Sequence, residues 1–327
     1  MRAVLCTAYE GYDALETGDA PSRAPRPGEV RIAIHAAGLN FADTLMVEGR
    51  YQVKPDLPFV PGLEGAGEVI EIGEGVERVK PGDRVAATFE HGAFAEEAVA
   101  REVDTYPIPD AMPFEIAAGF PLVYGTSHVG LRRRANLQAG ETLLVHGAAG
   151  GVGLTAVEIG KALGATVIAT AGSADKLEVA RAHGADHLIN YRDEDIRQAI
   201  KGLTDGRGAD VIYDPVGGDV FDASLRSIAW EGRLLVVGFA SGRIPQAPAN
   251  YLLVKNCAVM GVFWGAYRHR DPRVIDDAMA ELLDWYAVGK LKPLVSQTYD
   301  LAEAGTAMAD MRARRSTGKL VLTTGRG

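Results

Sequence analysis

The chain has 327 residues, 47% of them hydrophobic and 24% charged, the balance of a soluble globular protein long enough for two domains of ordinary size. A net charge of −9 argues against nucleic acid or an anionic membrane as the main partner. Two cysteines, Cys6 and Cys257, cannot build a disulfide framework, and no Cys/His spacing reads as a zinc site. The first apolar run, Met1–Cys6, is too short for a signal peptide and no uninterrupted apolar stretch could span a bilayer, so cytoplasm is the default expectation.

Residues 1–35 read as β-hairpins: Met1–Thr7, a Pro/Gly-rich turn over 24–29, then the alternating run Val30–His35. Residues 36–46 read as a loop entering a short helix, followed by Gly49-Arg50-Tyr51 and by Leu57-Pro58-Phe59-Val60-Pro61-Gly62-Leu63-Glu64-Gly65-Ala66-Gly67-Glu68-Val69. Residues 121–128 open a helix that runs toward Arg132-Arg133-Arg134.

The informative centre is Thr142-Leu143-Leu144-Val145-His146-Gly147-Ala148-Ala149-Gly150-Gly151-Val152-Gly153-Leu154. An apolar run of strand length meets a glycine cluster and then a helical pattern, as the first unit of a dinucleotide-binding fold requires. Glycine lets a pyrophosphate approach main-chain N–H groups at the positive end of a helix. The fingerprint here is Ala148-x-Gly150-x-x-Gly153, with alanine at the first position. Strand and helix patterns then alternate: Ala165–Thr170, Lys176–Arg181, His187–Ile189, 193–201, Asp210–Asp214 and Gly232–Gly238. That alternation predicts a parallel, doubly wound sheet. The run 258–263 reads as its last strand and Asp271–Gly289 as an amphipathic helix.

A NAD-specific unit usually carries an acid about 20 residues past its fingerprint to bind the ribose 2′-hydroxyl. Here that distance falls in Ala171-Gly172-Ser173-Ala174-Asp175-Lys176, with a hydroxyl and an ammonium and no acid immediately after the strand. Such groups suit a 2′-phosphate. Asp175 is the counter-argument, and it fits the first turn of a helix. NADPH is therefore the expected cofactor.

The segment 57–69, with Val79-Lys80-Pro81-Gly82-Asp83-Arg84-Val85, resembles the catalytic domain of the medium-chain dehydrogenase/reductase superfamily. Within it, the chain is most similar to the zinc-independent NADPH:quinone oxidoreductase family. The resemblance continues through 146–153, Tyr213-Asp214-Pro215-Val216-Gly217-Gly218, Gly238-Phe239-Ala240-Ser241-Gly242 and Thr317-Gly318-Lys319. It implies an α/β protein: a GroES-like β-barrel catalytic domain from both chain ends (1–120 and 266–327) and an inserted Rossmann domain (121–265). Zinc-dependent alcohol dehydrogenases carry a cysteine and a histidine as metal ligands where this chain has Asn40 and Leu63, so no metal site is expected.

The resemblance also implies roles. Ala148, Gly150, Gly151, Val152 and Gly153 would face the pyrophosphate; Ser173, Lys176 and Tyr191 the 2′-phosphate; Val216, Phe239, Phe263 and Trp264 the rest of the cofactor; Lys319 its phosphates. Thr126 would meet the nicotinamide and Tyr124 the substrate. Asn40 would bond the ribose or an acceptor carbonyl, with an ordinary loop asparagine as the alternative. Tyr51 would donate a proton to a substrate carbon or merely pack over the cleft mouth. The substrate is a small quinone or, in the alternative, an activated C=C bond such as an enone or enoyl thioester. A non-catalytic NADPH-binding protein is the remaining reading. In this superfamily the last sheet strand, here 258–263, commonly pairs with its copy in a second subunit, which implies a homodimer.

Overall fold

The computed structural model describes residues 1–326. The chain forms two compact units, one of Met1–Leu122 with the segment from Pro293 onward, the other of Val123–Lys292.

The first unit is built from β1 (Arg2–Cys6), β2 (Leu15–Asp19), β3 (Glu29–Leu39), α1 (Phe41–Val47), β4 (Glu64–Ile72), β5 (Arg84–Thr88), β6 (Glu97–Arg101), β7 (Thr105–Pro107) and α2 (Phe114–Ala118). β1 and β2 pair as a hairpin, the partner that the sequence did not announce. β3 is the spine: it pairs antiparallel with β4, with β6 and with a strand from the chain's return. It runs through to Leu39, so residues 36–39, expected as loop, are strand. Register shifts along β3 and β4 bend the ladder, and a Cβ at Gly67 would lie 1.8 Å from the Ala33 carbonyl oxygen. Only glycine permits that approach. Ile32, Ile34, Leu39, Met46, Phe94 and Leu322 lie in the core beneath.

The second unit begins within α3 (Pro121–His128), at Val123, and continues with β8 (Thr142–Val145), α4 (Gly151–Ala162), β9 (Thr166–Ala171), α5 (Ala174–Ala182), β10 (His187–Asn190), α6 (Ile196–Leu203), β11 (Ala209–Asp214), α7 (Gly218–Ser227), β12 (Ile228–Val236), α8 (Ala249–Lys255), β13 (Ala258–Gly261), α9 (Tyr267–Arg270) and α10 (Arg273–Ala287). Its six strands lie in the order β10-β9-β8-β11-β12-β13. Every neighbouring pair is parallel. This is the expected doubly wound Rossmann sheet, with its topological switch between β8 and β11. Leu144, Ile168, Ile212 and Leu234, one from each central strand, are buried together, each stabilising the fold by about 1.5–3 kcal/mol.

The return to the first unit comes at Pro293, later than the expected residue 266. The reason is α10. Its Val274, Ile275, Ala278, Met279 and Leu282 are buried, and Glu281 contacts His128 and Arg132, so the helix belongs to the sheet unit. The first unit is then completed by β14 (Val295–Asp300), α11 (Ala304–Arg312) and β15 (Lys319–Thr323), with β15 antiparallel to β3.

Candidate active site

In the sheet unit, the turn after β8 is shaped by three glycines. Gly147 has φ +58°, Gly150 precedes α4 in extended conformation, and a Cβ at Gly153 would lie 2.2 Å from the Gly147 carbonyl oxygen. Gly153 is thus the close-packing glycine that lets α4 start directly against the turn. Ala148, at the first fingerprint position, is buried and its N–H donates to Thr170 O at 3.1 Å. The N–H groups of Gly151, Val152 and Gly153 open the helix, where intrahelical acceptors are lacking. They form the cradle an anionic pyrophosphate fits.

The β11–α7 turn closes on this cradle. The nearest atom to a Cβ at Gly147 is Val216 Cγ2, at 3.5 Å. Asp214 Oδ1 accepts from the N–H groups of Val216 (2.8 Å) and Gly217 (2.9 Å), and Gly217 and Gly218 both have positive φ. Phe239 packs on Gly217, 3.1 Å from where its Cβ would be. Val216 and Phe239 therefore gather with the fingerprint at the switch point. Beneath it, buried His146 bridges Thr170 Oγ1 (2.8 Å) and Ser224 Oγ (2.6 Å), and burial lowers its pKa to about 3. It is a neutral structural link.

Ser173 and Tyr191 stand just past the C-terminal ends of β9 and β10, where Ala171 and Asn190 are register partners, and Lys176 lies in the first turn of α5 that Ser173 precedes. Ser173 precedes α5 and its side chain makes no cap hydrogen bond. A Cβ at Gly172 would lie 2.7 Å from Tyr191 Oη, so the phenol lies directly over the glycine beside Ser173. Asp175 is exposed in the first turn of α5, as its sequence position suggested. Hydroxyl, phenol and ammonium without a strand-end carboxylate fit a 2′-phosphate.

At α3, Thr126 is buried and Gly125 faces the indole of Trp264: a Cβ there would meet Trp264 Nε1 at 2.7 Å. Trp264 is buried with that N–H unpartnered, whereas Phe263 is 52% exposed. Tyr124 departs from expectation. Its ring is buried and its hydroxyl donates to Glu158 Oε2 at 2.6 Å, with burial and the Glu158 charge holding the phenol well above its ordinary pKa. A group so engaged is structural rather than a contact for substrate. His128 bonds Glu281 (2.7 Å), Arg132 pairs with the same carboxylate (3.0 Å), and Arg133 lies over Tyr267, so the arginine run is distributed among partners.

In the first unit, Asn40, Asp43, Glu64 and Lys319 form a buried polar cluster. Lys319 is the second departure. Its ammonium donates to Leu39 O (2.7 Å), Asn40 Oδ1 (2.7 Å) and Glu64 Oε1 (2.8 Å), which uses all three of its donors inside the unit and leaves none for a cofactor phosphate. Asn40 Nδ2 donates to Glu64 Oε1 (2.9 Å) and Gly38 O (3.3 Å), so its amide orientation is set from both ends. Glu64 Oε2 accepts from the Leu122 N–H. Asp43 Oδ2 accepts from the Asn40 N–H, and burial above all pushes its pKa up to about 7, against the pull of that N–H and of the Lys319 charge. Tyr51 is half-buried and packs on the core of this unit. Among the described residues no group of three His, Cys, Asp or Glu side chains could hold a metal ion.

Sequence reasoning missed Glu64, Glu158 and His183 as structural centres. The signal for Glu158 was present: it follows Val157 and precedes Ile159 on the apolar stretch of α4.

Two family models match the chain: an alcohol dehydrogenase GroES-like domain over residues 26–110 and a zinc-binding dehydrogenase over 151–284. The quinone oxidoreductase-like protein 2 homolog of Nematostella vectensis is 45% identical over 99% of this chain and 89% of its own length. The Escherichia coli quinone oxidoreductase complexed with NADPH superposes with a TM-score of 0.93 at 32% identity, covering 99% of this chain and 100% of that one. The CurK enoyl reductase gives 0.89 at 28% identity over 98% of each chain. Fold and site define a medium-chain dehydrogenase/reductase, and the chain belongs to the quinone oxidoreductase family of that superfamily. It is an oxidoreductase enzyme.

Proposed function

We propose that this oxidoreductase binds NADPH in the sheet unit and reduces a quinone. When bound, the dinucleotide supplies a hydride (that is, two electrons together with one proton), and the quinone takes its second proton from water. The α4 N-terminus and its glycines hold the pyrophosphate; Ser173, Lys176 and Tyr191 hold the 2′-phosphate; Val216 and Phe239 flank the bound chain and keep water from it. Asn40, with both amide hydrogens given to Glu64 and Gly38, retains acceptor capacity only. It therefore receives a ribose hydroxyl or carboxamide N–H and does not polarise an acceptor carbonyl.

One observation carries the quinone over other acceptors. The donors of Tyr124, Lys319 and Asn40 are all committed within their own units. A quinone needs no donor from the protein, whereas a C=C bond would draw its proton from Tyr51 or from water. The second reading, reduction of an enone or enoyl thioester, is favoured by the likeness to CurK and would rely on the Tyr51 phenol. NADPH oxidation with p-benzoquinone, phenanthrenequinone, an enone and crotonyl-CoA separates the two. Quinone turnover unchanged by Tyr51→Phe supports the proposal. Enone or crotonyl-CoA turnover that collapses in the variant replaces it with the second reading, and NADPH binding without turnover of any acceptor points to a binding protein.

The proposed assembly is a homodimer through β13. That strand is the edge of its sheet, and Leu253 and Val254 on α8, the helix that precedes it in the chain, are 77% and 63% exposed. An unpaired edge with apolar neighbours is a ready template for its own copy. Light scattering that returned a monomer at micromolar concentration would remove it.

A further inference from the structure

We propose that Ser127, with Thr155 in support, is a positioning residue of the dinucleotide cradle and acts on it through the carbonyl of Val152. Ser127 on α3, Thr155 on α4 and Tyr213 on β11 are all buried, and all lie in the sheet unit. Their hydroxyls meet: Ser127 Oγ is 2.9 Å from Tyr213 Oη and 2.8 Å from Thr155 Oγ1. Burial pushes the Tyr213 pKa up, so the phenol keeps its proton and donates to Ser127 Oγ. Ser127 Oγ then donates to Val152 O at 3.0 Å and Thr155 Oγ1 to Val123 O at 3.1 Å, an assignment that serves every hydroxyl and both carbonyls. Thr155 Oγ1 is also 3.1 Å from Val152 O, so it can turn to that carbonyl when Ser127 is lost.

Val152 and Gly153 share one planar peptide, so a bond that fixes the Val152 carbonyl also fixes the direction of the Gly153 N–H on its opposite edge. That N–H belongs to the first turn of α4, just ahead of the bond from the Leu154 N–H to Gly150 O at 2.8 Å, and has no intrahelical acceptor. With the N–H groups of Gly151 and Val152 it is offered to the pyrophosphate. A donor on a carbonyl also polarises the N–H of the same peptide, strengthening the next bond by about 10–30%. The glycines give the turn its shape, and the hydroxyls of Ser127 and Thr155 give its last free N–H a direction and added polarity. The consequence is dinucleotide affinity, a property of the sheet unit alone. This rests on the reading that the α4 N-terminus holds the pyrophosphate.

The test uses the full chain carrying Ser127→Ala with Thr155→Val, so that neither hydroxyl can replace the other. A second variant adds Tyr213→Phe, which leaves no phenol buried without its acceptor and keeps the test open if the first fails to fold. Affinities for NADPH and for adenosine 2′-phosphate, which has the 2′-phosphate and no pyrophosphate, are measured by titration, and the Gly153 amide resonance by heteronuclear NMR. NADPH affinity is expected to fall about threefold to tenfold, with adenosine 2′-phosphate affinity held within about twofold. The Gly153 resonance should move in the nucleotide-free variants while the β9 amides keep theirs. Unchanged NADPH affinity alongside a shifted Gly153 resonance overturns the proposal. So does an equal loss for both ligands, which marks a general loosening of the unit. In the unaltered protein NADPH should itself shift the Gly153 resonance. If it does not, the cradle reading fails and the proposal falls with it, whatever the variants show.

Discussion

The ammonium of Lys319 lies 2.8 Å from Glu64 Oε1, with the two side chains only 7% and 0% exposed. This ion pair joins the chain's last strand to β4 and orients the amide of Asn40 between them. Removing one member leaves the other charge buried and uncompensated. Lys319→Met should therefore cost about 3–5 kcal/mol in urea unfolding, and Lys319→Met combined with Glu64→Leu should recover a large part of it. A single-variant cost below about 1 kcal/mol would show that the pair is not desolvated.

Asp43 gives stability a pH dependence of definite sign. Its folded pKa of about 7 lies above the ordinary carboxyl value of about 3.9. Between those values the folded chain binds more protons than the unfolded one. Its contribution is complete below about pH 4 and is lost as pH rises through 7, with a slope of up to about 1.4 kcal/mol per unit. Asp43→Asn should lack this component. The stability difference between wild type and variant, measured by urea unfolding from pH 4 to 8, should therefore drift against wild type up to about pH 7 and level off above it. A constant difference would place the Asp43 pKa near its ordinary value.

A methyl at Gly153 has nowhere to go, since it would lie 2.2 Å from the Gly147 carbonyl oxygen and 3.0 Å from Ala148 Cα, both main-chain atoms. Gly153→Ala should destabilise the chain by about 1–3 kcal/mol and push α4 away from the turn. NADPH affinity should fall along with thermal stability, because the same displacement removes the N–H cradle. Intact affinity in a destabilised variant would separate the glycine from the cradle.

Ser173→Asp would restore the acid that the second strand end lacks. A carboxylate beside Tyr191 and Lys176 repels a 2′-phosphate and accepts a 2′-hydroxyl. The ratio of kcat/KM for NADPH over NADH should fall by about tenfold or more, mostly through the KM for NADPH. An unchanged ratio would move the 2′-phosphate site away from the β9 end.

The sequence by itself determined the parallel doubly wound sheet, the place of the fingerprint turn and the missing strand-end acid near Ser173. These are local or periodic features: apolar runs of strand length, glycines that a tight turn demands, and a residue type at a fixed distance along the chain. Only the tertiary structure decided that Tyr124 bonds Glu158, that the three donors of Lys319 are spent on Leu39, Asn40 and Glu64, and that α10 packs with the sheet unit. The physical reason is common to all three. A lysine, a tyrosine or an amphipathic helix reads the same in sequence whether it faces a ligand or a buried partner. Which it faces is set by groups far away in the chain, as Lys319 and Glu64 show across a separation of 255 residues.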